Sequence, residues 1–392
     1  MHIAINAHLL AHTRTFRRAG VSHYIEQLLR HLAQVDQADQ ADQAKPAHTY
    51  RIYTTRGVGP EALGLPPRFQ VVPSRFPTIN PRVRIPWEQV VAPLLVRQSG
   101  ADLFHGTLNV APLLCPVPTV ITIHDLAFIR FPRTFRAHNR TYLDLATRTS
   151  ARRAARILTV SEHTRREVIG LLGVPPERVV VTYDAARAHF QPPDPAALEA
   201  FRVRRGLPEH YLLYVGTLEP RKNLTTLLDA YSQVARVSQV PLLVGGGKGW
   251  LYRPVFERLE ALGLRDRVHF VGYLEEEELP LWYAAATVFV FPSLYEGFGM
   301  PPLEAMACGT PVVTSDRSSL PEVVGEAGVM VSPTDADALA AALLQVLRDA
   351  DLRADLRERG LRQARQFSWR TTAERTLAAY AAATGAAVGG DT

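Results

Sequence analysis

Two glutamates, Glu296 and Glu304, stand eight residues apart in the segment SLYEGFGMPPLEAMACGTPVV, residues 293–313. Pro301 and Pro302 suit the first turn of a helix, where no amide hydrogen is needed for the intrahelical ladder. Gly309 suits its C-terminal end. The pattern predicts a short helix over 301–308, entered from the strand TVFVFP through YEGFG. Gly297 and Gly299 let the backbone approach a ligand or take positive φ. The amides of Phe298, Gly299 and Met300, at the positive end of that helix, suit a phosphate. Glu304, one turn further, is within reach of a ribose, and Glu296 stands on the loop at the mouth. Taken singly, each glutamate reads as part of a capped surface helix; the strand–loop–helix context favours a site.

A second stretch, YVGTLEPRKNLTTLLDAY, ends a strand at Gly216 and starts a helix near Asn223, with Arg221 and Lys222 immediately before it. Cations are ordinarily favoured at the other end of a helix. Two of them at the N-terminal end make a clamp for a diphosphate. Lys222 is one of three lysines, with Lys45 and Lys248, in a chain whose 44 basic residues are otherwise arginine. In TVITIHDLAF, His124 and Asp125 close an apolar strand at its C-terminal end, where open α/β sheets bind ligands. His105 in DLFHG is similarly placed.

Other motifs resolve to structure. VGGGKGW matches neither the phosphate-loop template nor G-x-G-x-x-G, and reads as a glycine-rich strand end lining the same site. The first strand, HIAIN, also lacks a dinucleotide fingerprint, which argues against an NAD enzyme. There is no G-x-S-x-G for a serine hydrolase. Asp335 and Asp337 sit at a helix start, where Asp caps, and Asp349 and Asp351 read as a polar helical face. Neither pair is expected to bind a metal, and no zinc-type spacing exists.

The elements that must hold these residues follow from hydrophobic pattern. HIAIN, RIYTT, ADLFHG, TVITIHD, RILTVS and RVVVTYD read as strands in the first half. YLLYVG, VPLLVGGG, RVHFVG, TVFVFP and TPVVTS follow in the second, with helical stretches between many of them. Apolar strands alternating with helices predict parallel sheets covered on both faces. Two such series predict two doubly wound α/β domains, with the boundary near the prolines Pro192, Pro193 and Pro195. The repeated D-Q-A of VDQADQADQAKPAH reads as a solvated loop or frayed helix end.

The 392 residues suffice for two cores, and 47% hydrophobic with 21% charged residues is ordinary globular usage. No basic-then-apolar leader opens the chain, and no apolar run reaches the roughly 18–20 residues of a membrane helix. Two cysteines, Cys115 and Cys308, without metal spacing fit a reducing cytoplasm. The net charge of +6 gathers in arginine clusters of the first half, such as RTFRRAG and RTSARRAAR. They read first as a solvated basic surface, and alternatively as a face for phosphorylated or lipid-linked partners at an anionic membrane. No nucleic-acid-binding signature accompanies them.

The sequence resembles family 4 of the retaining GT-B glycosyltransferases, in particular its bacterial mannosyltransferase-like branch of polysaccharide and lipopolysaccharide assembly. The likeness runs through PWEQVVAPLLVRQSGADLFHG, PTVITIHDLAFIRFP and ARRAARILTVSEHTRREV. It continues in YVGTLEPRKN, the long VGYLEEEELPLWYAAATVFVFPSLYEGFGMPPLEAMACGTPVV, and SSLPEVVGEAG. It implies a GT-B fold: two Rossmann-like domains facing a central cleft, over 1–190 and 191–367, with a final helix, about 368–392, crossing back to the first. It implies a nucleotide-sugar donor held mainly by the second domain. Arg221 and Lys222 would bind the diphosphate and Glu304 the ribose, while main chain near Tyr273 and Leu274 meets the base. Glu296 and the amides of Phe298 to Met300 would hold the sugar. His124 would reach the sugar from the first domain, where Gly20 lets a loop approach the phosphates.

The expectation is a retaining, metal-independent hexosyltransferase without cofactor, with GDP-mannose the favoured donor and a glycan or lipid-linked acceptor. Its place would be the cytoplasm, peripheral to the inner membrane face. UDP-glucose or another nucleotide sugar, an epimerase or phosphorylase on the same scaffold, and a non-enzymatic basic membrane-surface or nucleic-acid binder are the alternatives. Two stretches depart from the family pattern. The first loop reads Arg18-Ala19-Gly20-Val21-Ser22-His23-Tyr24 where G-G-[IV]-G-R-Y is usual. The linker reads Tyr183-Asp184-Ala185-Ala186-Arg187 where Y-N-G-V-D is usual.

Overall fold

In the first half of the chain, seven short apolar runs form one parallel sheet. They are β1 (His2–Ala7), β2 (Thr49–Thr54), β3 (Phe69–Pro73), β4 (Leu103–Gly106), β5 (Thr119–Ile123), β6 (Arg156–Thr159) and β7 (Val179–Val181), in the order β3-β2-β1-β4-β5-β6-β7. The computed structural model describes residues 1–10, 20–41, 48–134 and 137–385. Six further strands form a second parallel sheet. They are β8 (Leu212–Val215), β9 (Leu242–Gly245), β10 (Val268–Gly272), β11 (Val288–Phe291), β12 (Val312–Ser315) and β13 (Gly328–Val331), in the order β10-β9-β8-β11-β12-β13. Both are Rossmann-like.

Central strands are buried along their whole length: β5 and β11 show no exposed or half-buried residue. Helices cover both faces of such a sheet, so every side chain of the strand enters a core. Each fully buried Val, Leu, Ile or Phe contributes roughly 1.5–3 kcal/mol. In the first unit the core gathers Phe104, Ile121, Ile123, Leu126, Phe128 and Ile157. The two strands that the periodicity does not announce, β3 and β13, are edge strands. β3 is interrupted by Gln70 and ends in Pro73, and β13 is a four-residue run, Gly-Val-Met-Val, with only half-buried side chains.

The chain divides into two compact units, Met1–Asp184 with Ser368–Thr392, and Ala185–Phe367. The change-over falls at Asp184 rather than at residue 190, because Arg187 and Phe190 make their contacts inside the second unit. The final helix, Trp369–Thr384, belongs to the first unit. It packs against the helix Val21–Ala41 and against β4 to β7. Tyr380 on it bonds Nδ1 of His105 at 2.7 Å, and the Arg375 guanidinium donates to the Val181 carbonyl at 3.2 Å.

Two details correct the sequence reading. The first D-Q-A units form the end of the helix Val21–Ala41, as one of the two readings had it, but Asp36 there is buried rather than solvated; residues 42–47 lie outside the described residues. Asp349 is not on a helical face. It breaks the C-terminal helical stretch and caps the helix Ala350–Ala364 by accepting from the Leu352 amide, as Asp335 caps Ala336–Arg348.

Candidate active site

The order of the second sheet reverses at β8 and β11, which are neighbours in space while their connections run to opposite sides. Loops leaving the C-terminal ends of two such strands diverge and open a crevice between them. The loop after β8 carries Glu219, Arg221 and Lys222; the loop after β11 carries Ser293, Tyr295 and Glu296. Topology thus brings together two motifs that are far apart in the chain.

The contact between them is direct. The Lys222 ammonium lies 2.5 Å from Glu296 Oε1, and Arg221 Nη1 lies 3.2 Å from Oε2. Ser293 Oγ donates to Oε1 at 2.6 Å. Arg221 also donates to the Tyr295 carbonyl at 2.6 Å and to the buried Glu219 carboxylate at 2.7 Å. The Leu294 amide donates back to the Arg221 carbonyl at 2.9 Å. Burial alone would raise the Glu296 carboxyl, but Lys222 and Arg221 beside it hold it below the usual carboxylate range. The sequence reading placed Glu296 on the loop at the mouth and gave both cations to a diphosphate. In the structure Glu296 is buried and already paired, because the two loops fold onto one another.

Arg221 and Lys222 end a 3₁₀ turn, Pro220–Lys222, and Asn223 takes the left-handed conformation at φ 60° before the helix Leu224–Val237. Asn223 does not cap that helix; its Nδ2 holds the Pro292 and Pro333 carbonyls at 3.1 and 2.7 Å. The positive end of the helix therefore adds to the two cations.

The glycine at 299 has φ 118°, where an added Cβ would come within 2.8 Å of Leu320, and it opens the helix Met300–Ala307 without a side-chain cap. Ser319 Oγ donates to the carbonyls of Glu296, at 3.0 Å, and Phe298, while Ser318 Oγ accepts from the Glu296 amide at 2.9 Å. Phe298, Gly299 and Met300 are thereby fixed to the same loop as Glu296. Glu219, Ser318 and Ser319 were missed from sequence. The paired serines of SSLPEVVGEAG were the available signal for two of them.

Glu304 lies on the helix Met300–Ala307 and is buried. Tyr283 Oη donates to its Oε2 at 3.1 Å, and Arg187 Nη2 lies 3.9 Å from Oε1. Burial pushes its carboxyl up to about 7, against the pull of Arg187 and Tyr283. On the other side of β8, the Gly216 amide donates to the Gly245 carbonyl at 3.0 Å. Gly246, at φ 138°, leaves no room for a side chain: a Cβ there would stand 2.0 Å from the Gly216 carbonyl oxygen. Leu274 packs on Gly245, while Tyr273 is exposed.

Gly20 and His124 belong to the first unit. Gly20, at φ 66°, precedes the helix Val21–Ala41, and its carbonyl accepts from the Tyr24 amide at 3.0 Å. His124 follows β5. Its Nε2 bonds the Thr107 carbonyl at 2.9 Å, so that nitrogen carries the hydrogen and Nδ1 is the accepting one. Burial holds this imidazole below its ordinary pKa, hence neutral at pH 7. His105 is a core residue, held to about pKa 3 by burial and bonded on both ring nitrogens, to Tyr380 and Thr122.

Chemically, the second unit offers two cations and a helix N-terminus where a leaving diphosphate would gather charge, and beside them one carboxylate whose ionised form the cations favour. Among the described residues no group of three His, Cys, Asp or Glu could hold a metal ion, and no helix is long and apolar enough to cross a membrane.

A family model described as "Glycosyl transferases group 1" matches residues 198–363, and one described as "Glycosyltransferase Family 4" matches residues 18–185. The chain is 40% identical over 264 residues to an O-antigen chain mannosyltransferase B of Escherichia coli, covering 67% of this chain and 69% of that protein. It is 32% identical over 240 residues to a serotype-specific mannosyltransferase WbdA of Escherichia coli, covering 58% of this chain and 29% of that longer protein. A sucrose-phosphate synthase from Thermosynechococcus elongatus superposes with a TM-score of 0.78 at 23% identity, over 98% of this chain and 100% of that one. At that identity the likeness speaks for the fold.

Proposed function

This chain belongs to the family 4 glycosyltransferases, and from that premise we propose that it transfers mannose from GDP-mannose to a glycan or lipid-linked acceptor in surface-polysaccharide assembly. The observation that carries the reading is the Arg221–Lys222–Glu296 cluster at the strand reversal of the second sheet. The mannosyltransferases among its relatives support the sugar.

Breaking a sugar–phosphate bond builds positive charge on the anomeric carbon and negative charge on the diphosphate. Arg221, Lys222 and the N-terminus of Leu224–Val237 stabilise the second, and no step of this scheme requires a bound metal or cofactor. Glu296, held ionised, accepts hydrogen bonds from sugar hydroxyls, together with the main chain at Phe298, Gly299 and Met300. Glu304 accepts from the ribose, and main chain at Tyr273 and Leu274 meets the base. Gly216 keeps a side chain away from the phosphates. Glu296 is bound on three sides, by Lys222, Arg221 and Ser293, and is poorly placed as a nucleophile. We therefore assign same-face transfer with retention, in which the leaving phosphate takes the acceptor's proton. A glycosyl adduct on Glu296 found by mass spectrometry would overturn that mechanism.

The test is thermal stabilisation by GDP, UDP, ADP and dTDP and their sugars, with Arg221→Ala/Lys222→Ala as control. A ligand at 100 times its Kd adds about 2.7 kcal/mol. Stabilisation by GDP and GDP-mannose that the double variant loses supports the reading; stabilisation by UDP-glucose alone replaces the donor. We further place the protein peripherally at the cytoplasmic membrane face. The arginine clusters of the first unit and its exposed Val90, Leu94, Leu113 and Leu114 support this. Co-sedimentation with anionic but not neutral vesicles, lost at high salt, is the expected outcome.

A further inference from the structure

Arg187 is a buried arginine shared between the half-buried Glu276 and the buried Glu304. Its Nη1 donates to Glu276 Oε1, its Nη2 lies 3.9 Å from Glu304 Oε1, and its guanidinium sits over the Phe190 ring at 5.0 Å from the centroid. Glu276 stands two residues beyond Leu274, in the connection between β10 and the helix Leu279–Ala285. One planar cation therefore ties the chain segment just after the unit boundary to the loop of Tyr273 and Leu274, and lies beside the carboxylate of Met300–Ala307.

We propose that Arg187 is a positioning residue of the donor site, holding Glu304 as an oriented carboxylate for the ribose hydroxyls while pinning the base-facing loop through Glu276. The proposal rests on the donor-site reading above. A carboxylate accepts from two vicinal hydroxyls, whereas a protonated carboxyl must donate with one of its oxygens. Glu304 is poised between these forms, because burial draws its carboxyl up to about 7. Around it, Tyr283 on Leu279–Ala285 donates a hydrogen bond, Cys308 lies one turn on along the chain, and Arg187 is the cation that favours the ionised form. Arg357, on the helix packed against Met300–Ala307, is spent on the Gly309 carbonyl at 3.0 Å. Without Arg187, Glu304 keeps its burial and loses its counter-charge, and the proton stays on to higher pH.

The experiment compares the full chain with Arg187→Met and Arg187→Lys, measuring affinity for GDP and 2′-deoxy-GDP by calorimetry from pH 5.5 to 9. The parent should bind GDP more tightly than the deoxy analogue, with affinity falling as pH drops through about 7. In Arg187→Met that fall should move up by about one pH unit or more. The ribose preference should shrink at least tenfold at pH 7 and recover by pH 9. Arg187→Lys, which keeps charge but not the planar fork, should retain the parent pH profile with weaker binding. Should Arg187→Met unfold, Arg187→Met/Glu276→Gln, which removes the second carboxylate with its partner, carries the same measurement. Folded variants with the parent's pH profile and ribose preference would overturn the proposal alone. A parent that binds no nucleoside diphosphate would overturn the donor-site reading and the proposal with it.

Discussion

The Lys222 ammonium lies 2.5 Å from Glu296 Oε1, the carboxylate buried and the lysine half-buried, so the cation we assign to a diphosphate is held in place by the carboxylate we assign to the sugar. The site is thus neutralised before any ligand arrives. Removing one member of a buried pair leaves the other uncompensated, at a cost of about 3–5 kcal/mol. Lys222→Met should lose stability on that scale in urea unfolding. Lys222→Met/Glu296→Gln should regain most of it while transfer stays abolished. Equal stability of the single and double variants would show that the pair is not coupled.

Glu304 offers a trade of stability against binding. Its carboxyl is raised from 4.5 to about 7, so its contribution is most favourable below 4.5 and is lost as pH rises through about 7. Above that pH the buried charge costs on the order of 3 kcal/mol. Glu304→Gln removes this cost. Its melting temperature should exceed the parent's by several degrees at pH 8 and match it near pH 4.5, with donor affinity reduced at pH 8 and close to the parent's near pH 4.5, where Glu304 is itself protonated. Calorimetric melts across that range check the sign.

Gly246 tests the close approach of the two strand ends. At φ 138°, with the Gly216 carbonyl 2.0 Å from where a Cβ would stand, alanine is excluded both by backbone and by space. Gly246→Ala should cost at least about 1–3 kcal/mol from the backbone alone and weaken nucleotide binding, by displacing Gly216. A variant with unchanged melting and binding would show that this loop yields freely.

The final helix is part of the first unit, and its fully buried Tyr380 bonds His105 at 2.7 Å. Tyr380→Phe leaves a buried imidazole nitrogen without its partner and should destabilise the first unit by about 1–3 kcal/mol. Hydrogen exchange should rise in β4 to β7, which the helix covers, and stay unchanged in β8 to β13. Increased exchange in the second sheet instead would contradict this division.

Much of this was legible in sequence. Eleven of the strands announce themselves through short apolar runs, and the central ones must, because a strand buried on both faces needs an unbroken run, a property of composition along a few residues. The glycines, prolines and glutamates of YEGFGMPPLE and the cations of EPRKN were legible for the same reason: helix starts and tight turns are local chemistry. The edge strands β3 and β13 were not: β3 is interrupted by Gln70 and ends in Pro73, and the four residues of β13 begin with a glycine.

What tertiary structure alone decided is who meets whom. The strand order placed β8 beside β11 and so set Lys222 against Glu296 across 74 residues of chain; it also brought Arg187 to Glu276 and Glu304. It decided too that His105 is a core residue while His124 keeps an accepting nitrogen. Residue types and spacing report what a side chain can do. Its charge state and partner depend on burial and on distant segments, and those exist only once the sheet has formed.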